Sequence, residues 1–86
     1  MAKTIYREEH QVLAALLREL RDKANMTQAD LAPRLGRAQN RISDFERGGR
    51  RIDVVEFIDY CTALGVNPSR VFGEFRRRLR AHHLSR

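Results

Sequence analysis

From position 6 to position 24 apolar residues return every three or four places. Val12, Leu13, Leu16, Leu17 and Leu20 form one stripe, and Arg18, Glu19, Arg21 and Asp22 fill the other faces. That period predicts a long amphipathic first helix over Tyr6 to Ala24. Asn25-Met26-Thr27 breaks the pattern. Thr27 suits an N-cap, with the Asp30 carboxylate three residues on complementing the positive end of a second helix that starts at Gln28. Gly36 follows Leu35 directly and is the natural left-handed residue to stop this helix, which is therefore short. Pro33 falls inside it without the N–H that would bond the Ala29 carbonyl, a loss of about 3 kcal/mol in an ordinary helix interior. Either the helix is distorted near Ala29, or its first turn is shaped so that the loss is small.

Beyond Gly36, Ile42 and Phe45 point inward three residues apart, while Arg37, Gln39, Asn40, Arg41 and Asp44 lie on the other faces of a third helix covering about Ala38 to Arg47. Gly48-Gly49 ends it and Arg50-Arg51-Ile52 forms a loop. Asp53 caps a fourth helix holding Val54, Val55, Ile58, Cys61 and Leu64, which Gly65 closes. Asn67 precedes Pro68, a residue suited to the first position of a fifth helix carrying Val71, Phe72, Phe75 and Leu79. No strand pattern or repeat interrupts this order, so the expected class is all-α with five helices.

Eighty-six residues, 42% of them hydrophobic, are enough for one domain with a modest core. Residues 1–11 read as an N-terminal extension leading into the first helix, 12–75 as the domain, and 76–86 as a basic C-terminal tail. The single cysteine, Cys61, has no internal partner; with no signal-like or membrane-length apolar run, a reduced, cytoplasmic protein is expected. The formal charge is +6 and unevenly spread. Residues 34–51 hold six arginines against Asp44 and Glu46, residues 75–86 hold five arginines and no acid, and the rest of the chain is net negative. Such concentration favours an electrostatic footprint for a polyanion over a merely solubilising surface, which would intersperse both signs.

The third helix adds chemistry to that charge. Gln39 and Asn40 are amides able to pair bidentately with adenine N6 and N7, and Arg37 or Arg41 suits guanine O6 and N7 or a phosphate. An ordinary solvated polar face is the alternative. The segment Thr27 to Gly48 decides between them: Thr27-Gln28, Leu31-Ala32, Leu35-Gly36, Ile42-Ser43 and Glu46-Arg47-Gly48 stand at the spacing of the Cro and phage-repressor type of helix-turn-helix family, which the chain resembles over roughly residues 12–75. The resemblance continues through Arg50-Arg51-Ile52-Asp53 into Ala63-Leu64-Gly65-Val66-Asn67-Pro68.

What this resemblance implies is a five-helix, lambda-repressor-like domain that reads double-stranded DNA with its third helix. It places Thr27 and Gln28 at the sugar-phosphate backbone, where free amides and the helix dipole attract an anion, although simple capping also explains them. It places Arg47, Arg50 and Arg51 against phosphate. Ser43 reaches either a phosphate or its own helix backbone. The resemblance also implies that Glu46 pairs with a basic residue of the first helix; by spacing Arg21 is the best candidate and Arg18 the second. Asp44 either accepts from a cytosine amine or, preferentially, pairs with Arg41 or Arg47.

The tail Arg76-Arg77-Arg78-Leu79-Arg80 extends the fifth helix into Ala81-His82-His83-Leu84-Ser85-Arg86, which has little local means of ordering itself and reads as either a basic arm or a frayed end. His82 and His83 have no carboxylate or cysteine near them in sequence to complete a zinc set, and His10 reads as an exposed helix residue. No metal or other cofactor is expected. The expected function is transcriptional regulation, as a repressor binding a palindromic operator as a homodimer, because one small module buries too little DNA for tight, selective binding. Val71, Phe72, Phe75 and Leu79, joined by Val66 and Ile52, are the candidate dimer surface, or else core. An antitoxin with a toxin as protein partner, and a controller of a restriction-modification system, are the alternatives. An enzyme is disfavoured for want of a phosphate loop, a metal constellation or a nucleophile with a base, and a membrane role for want of an apolar tail face.

Overall fold

The computed structural model describes residues 8–84, and over them the chain is all-α. Five helices follow in order: α1 (Glu8–Lys23), α2 (Gln28–Leu35), α3 (Gln39–Glu46), α4 (Val54–Leu64) and α5 (Pro68–Leu84). The expectations for residues 1–7, Tyr6 among them, and for Ser85 and Arg86 lie outside the described residues. Glu8 to Gln11, within both the expected extension and the expected span of the first helix, form the first turn of α1.

Local chemistry sets the boundaries. Asn25 takes the left-handed φ of 57°, turning the chain out of α1, and the Met26 amide donates back to the Arg21 carbonyl at 3.2 Å. Thr27 and Asp30 form a reciprocal capping box: the Asp30 N–H donates to Thr27 Oγ1 at 3.0 Å and the Thr27 N–H to Asp30 Oδ2 at 2.9 Å. Gly36 closes α2 at φ 63°, where a side chain would be strained. Asp53 and Glu56 make a second capping box at the start of α4. Pro33 sits within the continuous α2, and both it and Ala29 lie on the exposed side of that helix. The helix therefore bends around no buried defect, and the Ala29 end of the lost hydrogen bond faces solvent.

The core is a single cluster. Leu13, Leu16 and Leu17 of α1 meet Leu31 of α2, Ile42 and Phe45 of α3, Tyr60, Cys61 and Leu64 of α4, and Val71 of α5. Phe45 packs on Tyr60 with ring centroids 5.3 Å apart. Full burial of each large aliphatic or aromatic side chain is worth about 1.5 to 3 kcal/mol, which is what fixes the two short helices α2 and α3 in place although neither is long enough to persist alone.

The expectations for Val71 and His10 are corrected here. Val71 belongs to the buried cluster and presents nothing to a partner, because its face of α5 is the one that packs on α1 and α4. Of the apolar residues on α4, Val54, Val55 and Ile58 are exposed, Val54 to 73%, and the inward stripe runs through Tyr60, Cys61 and Leu64. The segment from Ala81 to Leu84 is also ordered, continuing α5. The carboxylates that receive it come from the other end of the chain: His82 Nε2 lies 3.1 Å from Glu8 and His83 Nε2 3.2 Å from Glu9. Arg78, lower on the same helix, makes a fork to Glu19 at 2.9 and 3.0 Å. His10 is half-buried rather than exposed.

Candidate nucleic-acid interface

Helix α3 buries Ile42 and Phe45 completely, which orients every other residue on it. At about 3.6 residues per turn, Asn40, Ser43 and Asp44 come out opposite that pair, Gln39 stands at one margin and Arg41 at the other, beside Phe45. Gln39 and Asn40 are exposed, and their side chains make no hydrogen bond among the described residues. Ala38 caps α3 without a side-chain bond, which leaves the first amides of the helix without a side-chain partner there.

The remaining candidates divide by what they touch. Thr27 is spent on its capping box, and its exposure still leaves the α2 N-terminus open. Gln28 turns inward: its Nε2 donates to Glu46 Oε1 at 2.8 Å. Ser43 is half-buried on the outward side. Asp44 pairs with Arg47, leaving both at the C-terminal end of α3. Arg51 is exposed. Arg50 is half-buried, and its Nε is enclosed without a hydrogen-bond partner. Two arginines face Glu56: Arg41, on the margin of α3, donates from Nη2 to Glu56 Oε2 at 2.8 Å, and Arg37, in the turn before α3, has its Nε 3.8 Å from the same oxygen.

Arg21 and Glu46 come together as a bidentate pair, Nε to Oε2 at 2.7 Å and Nη2 to Oε1 at 2.9 Å. A third guanidinium nitrogen, Nη1, donates to the Met26 carbonyl at 2.7 Å. The side chains are 9% and 4% exposed. Hydrogen bonding to Glu46 raises the Arg21 pKa above its already high ordinary value, so the guanidinium stays charged. This buried junction ties α1, the turn after it, the start of α2 and the end of α3, and thereby sets the angle at which α3 stands. Arg18, the other candidate partner, is exposed.

Sequence reasoning missed Glu56 and the inward role of Gln28. The Asp53-x-x-Glu56 spacing of a capping box was a usable sign that Glu56 stands in the first turn of α4; that this turn passes beside α3 had none. Among the described residues, no helix is long and apolar enough to cross a membrane, and no group of three or more His, Cys, Asp or Glu is placed to hold a metal ion.

The family model described as a helix-turn-helix domain matches residues 12–71. A comparison with curated proteins found no match. Among solved structures, an XRE-family like protein from Pseudomonas syringae pv. tomato str. DC3000 is similar at 40% identity and TM-score 0.78, over 87% of this chain and 92% of that one. The restriction-modification controller protein C.AhdI from Aeromonas hydrophila is similar at 28% identity and TM-score 0.71, over 76% and 98%. The restriction-modification controller protein C.Esp1396I, solved as a tetramer with its natural 35 base-pair operator, shares the fold at 21% identity and TM-score 0.76, over 83% and 93%.

Proposed function

Because the chain belongs to the helix-turn-helix family of the XRE type, we propose that it is a sequence-specific DNA-binding regulator of transcription, a repressor that binds a palindromic operator as a homodimer through α3. The observation that carries this reading is the pair of exposed amides, Gln39 and Asn40, at the open end of a helix whose opposite side is locked into the core. In the major groove these amides read adenine edges. Arg47, Arg50, Arg51, Ser43 and the α2 N-terminus at Thr27 hold phosphates and fix the register. Gln28 supports the site through Glu46 and is not itself a phosphate ligand in this reading.

The dimer surface is an apolar groove of about 420 Å³ between α4 and α5, lined among others by Val54, Phe57, Ile58, Phe72 and Phe75. Phe72, 52% exposed, stands on its rim, and Leu79 is half-buried further along α5. A second copy covers this patch and sets two recognition helices about one DNA turn apart. The chain works by binding, not catalysis, and acts in the cytoplasm where its operator lies.

The likeness to C.AhdI favours a second reading, control of a restriction-modification system; adjacent restriction and methyltransferase genes would select it, and a toxin gene would select an antitoxin. Selection of bound sites from a random duplex pool tests the main proposal. The expected product is an inverted repeat with adenines at the centre of each half-site contact, bound with a log–log salt slope of about −0.9 per phosphate held. Recovery of unbiased sequences would refute it.

A further inference from the structure

Glu56 is used twice. As the third residue of α4 it completes the helix cap, its Oε1 accepting weakly from the Asp53 N–H at 3.4 Å while the Glu56 N–H donates to Asp53 Oδ1 at 2.8 Å. Its other oxygen accepts from Arg41 at 2.8 Å, with Arg37 at 3.8 Å. Its side chain is 13% exposed, whereas those of Arg41 and Arg37 remain a third or more open to solvent. The carboxylate is thus the enclosed member of the cluster and the arginines the solvent-facing ones. Arg41 also leaves α3 on the margin beside Phe45, the side where Tyr60 brings α4 against it.

We infer that Glu56 is a specificity-determining residue: it draws Arg41, and more weakly Arg37, to the α4 side of the recognition helix and keeps both out of the DNA contact. This rests on the reading of α3 as the recognition helix. An arginine free at the edge of the groove reaches phosphate on any duplex, and phosphate attraction raises affinity without regard to sequence. Held by Glu56, the same arginine contributes nothing to non-specific binding, and discrimination is left to Gln39 and Asn40. Release upon DNA binding is opposed because it would leave a largely buried carboxylate unpaired next to the phosphates.

The test is a cycle of wild type, E56Q, R41A and E56Q/R41A, each titrated on a site-selected duplex and on a scrambled one across a salt series. Glutamine retains the capping geometry but not the charge, and a thermal melt checks that E56Q is folded. E56Q is expected to tighten the scrambled duplex roughly tenfold, to tighten the selected one less, and to steepen the salt slope by about 0.9 per arginine freed. R41A alone should change Kd on the selected duplex less than about twofold, and in the E56Q background should return the salt slope toward wild type. A tenfold or greater loss from R41A alone overturns the inference while leaving the recognition helix intact. So does a folded E56Q with unchanged Kd and slope on both duplexes. Should E56Q not fold, R41A by itself decides. A wild type that holds both duplexes equally overturns the reading of α3, and this inference with it.

Discussion

The Glu46 carboxylate lies in a region where positive charge serves DNA and negative charge opposes it, yet it accepts two hydrogen bonds from Arg21 and one from Gln28. Its work is structural. Removing it in Glu46→Ala strands the Arg21 guanidinium among three helices, and the expected loss is about 3 kcal/mol, measured by urea unfolding; an unchanged midpoint would refute the junction. Cys61 is a second residue whose surroundings set its chemistry. It is fully buried, and burial pushes its thiol up to about 11. A thiol reagent at mildly alkaline pH should therefore label it only as fast as the chain unfolds. Prompt labelling of the folded protein would contradict the packing around it.

At the scale of elements, α2 depends on its first turn, because Pro33 removes one of its few internal hydrogen bonds. Thr27→Ala should cost about 1 kcal/mol, seen as a lowered melting temperature. The Thr27 backbone N–H, then its side chain, hold the Asp30 carboxyl below its ordinary 3.8. Hydrogen bonds and charge from Arg78 hold Glu19 down in the same direction, and Arg78 and Arg77 do so for Glu74. A carboxyl depressed in the folded state favours folding above its unfolded pKa, and that contribution fades as pH falls through the lowered value. Melting temperature should therefore be level near neutrality and decline below about pH 4.5. Asp30→Asn should flatten part of that decline; an acid limb identical to wild type would show that the capping box contributes nothing to it.

For the molecule as a whole, the proposed function requires two surfaces to act together. The exposed apolar groove around Val54, Ile58 and Phe72 sits on α4 and α5, away from Gln39 and Asn40 on α3. In the proposed dimer, joining two copies there would make the second half-site contact intramolecular and multiply affinity without adding a base contact. Phe72→Glu should sediment as a monomer at tens of micromolar and lose about a hundredfold in operator affinity. Retention of dimer and affinity would move the interface elsewhere. The α1–α5 contacts made by Glu8, Glu9, Glu19, Arg78, His82 and His83 close the other side of the bundle with solvent-screened pairs that add little to stability.

Helix order, the caps at Thr27 and Asp53, the stops at Gly36 and Gly65, and the exposed amides of α3 are all legible in the sequence, because each depends on residues within one or two turns of one another. Helical period also identified Ile42, Phe45, Leu13, Leu16 and Leu17 as core. The rest rested on contacts between residues distant in the chain. Whether Val71 or Val54 faces inward depends on which side of its helix a neighbour covers, since both helices carry more apolar residues than one stripe can bury. Gln28 turning to Glu46, Glu56 reaching Arg41, and the last turn of α5 settling against Glu8 and Glu9 are pairings across 15 to 74 positions. A carboxylate's partner is chosen by the packing that brings a charge within about 4 Å, and that distance is set only when the five helices close on their common core.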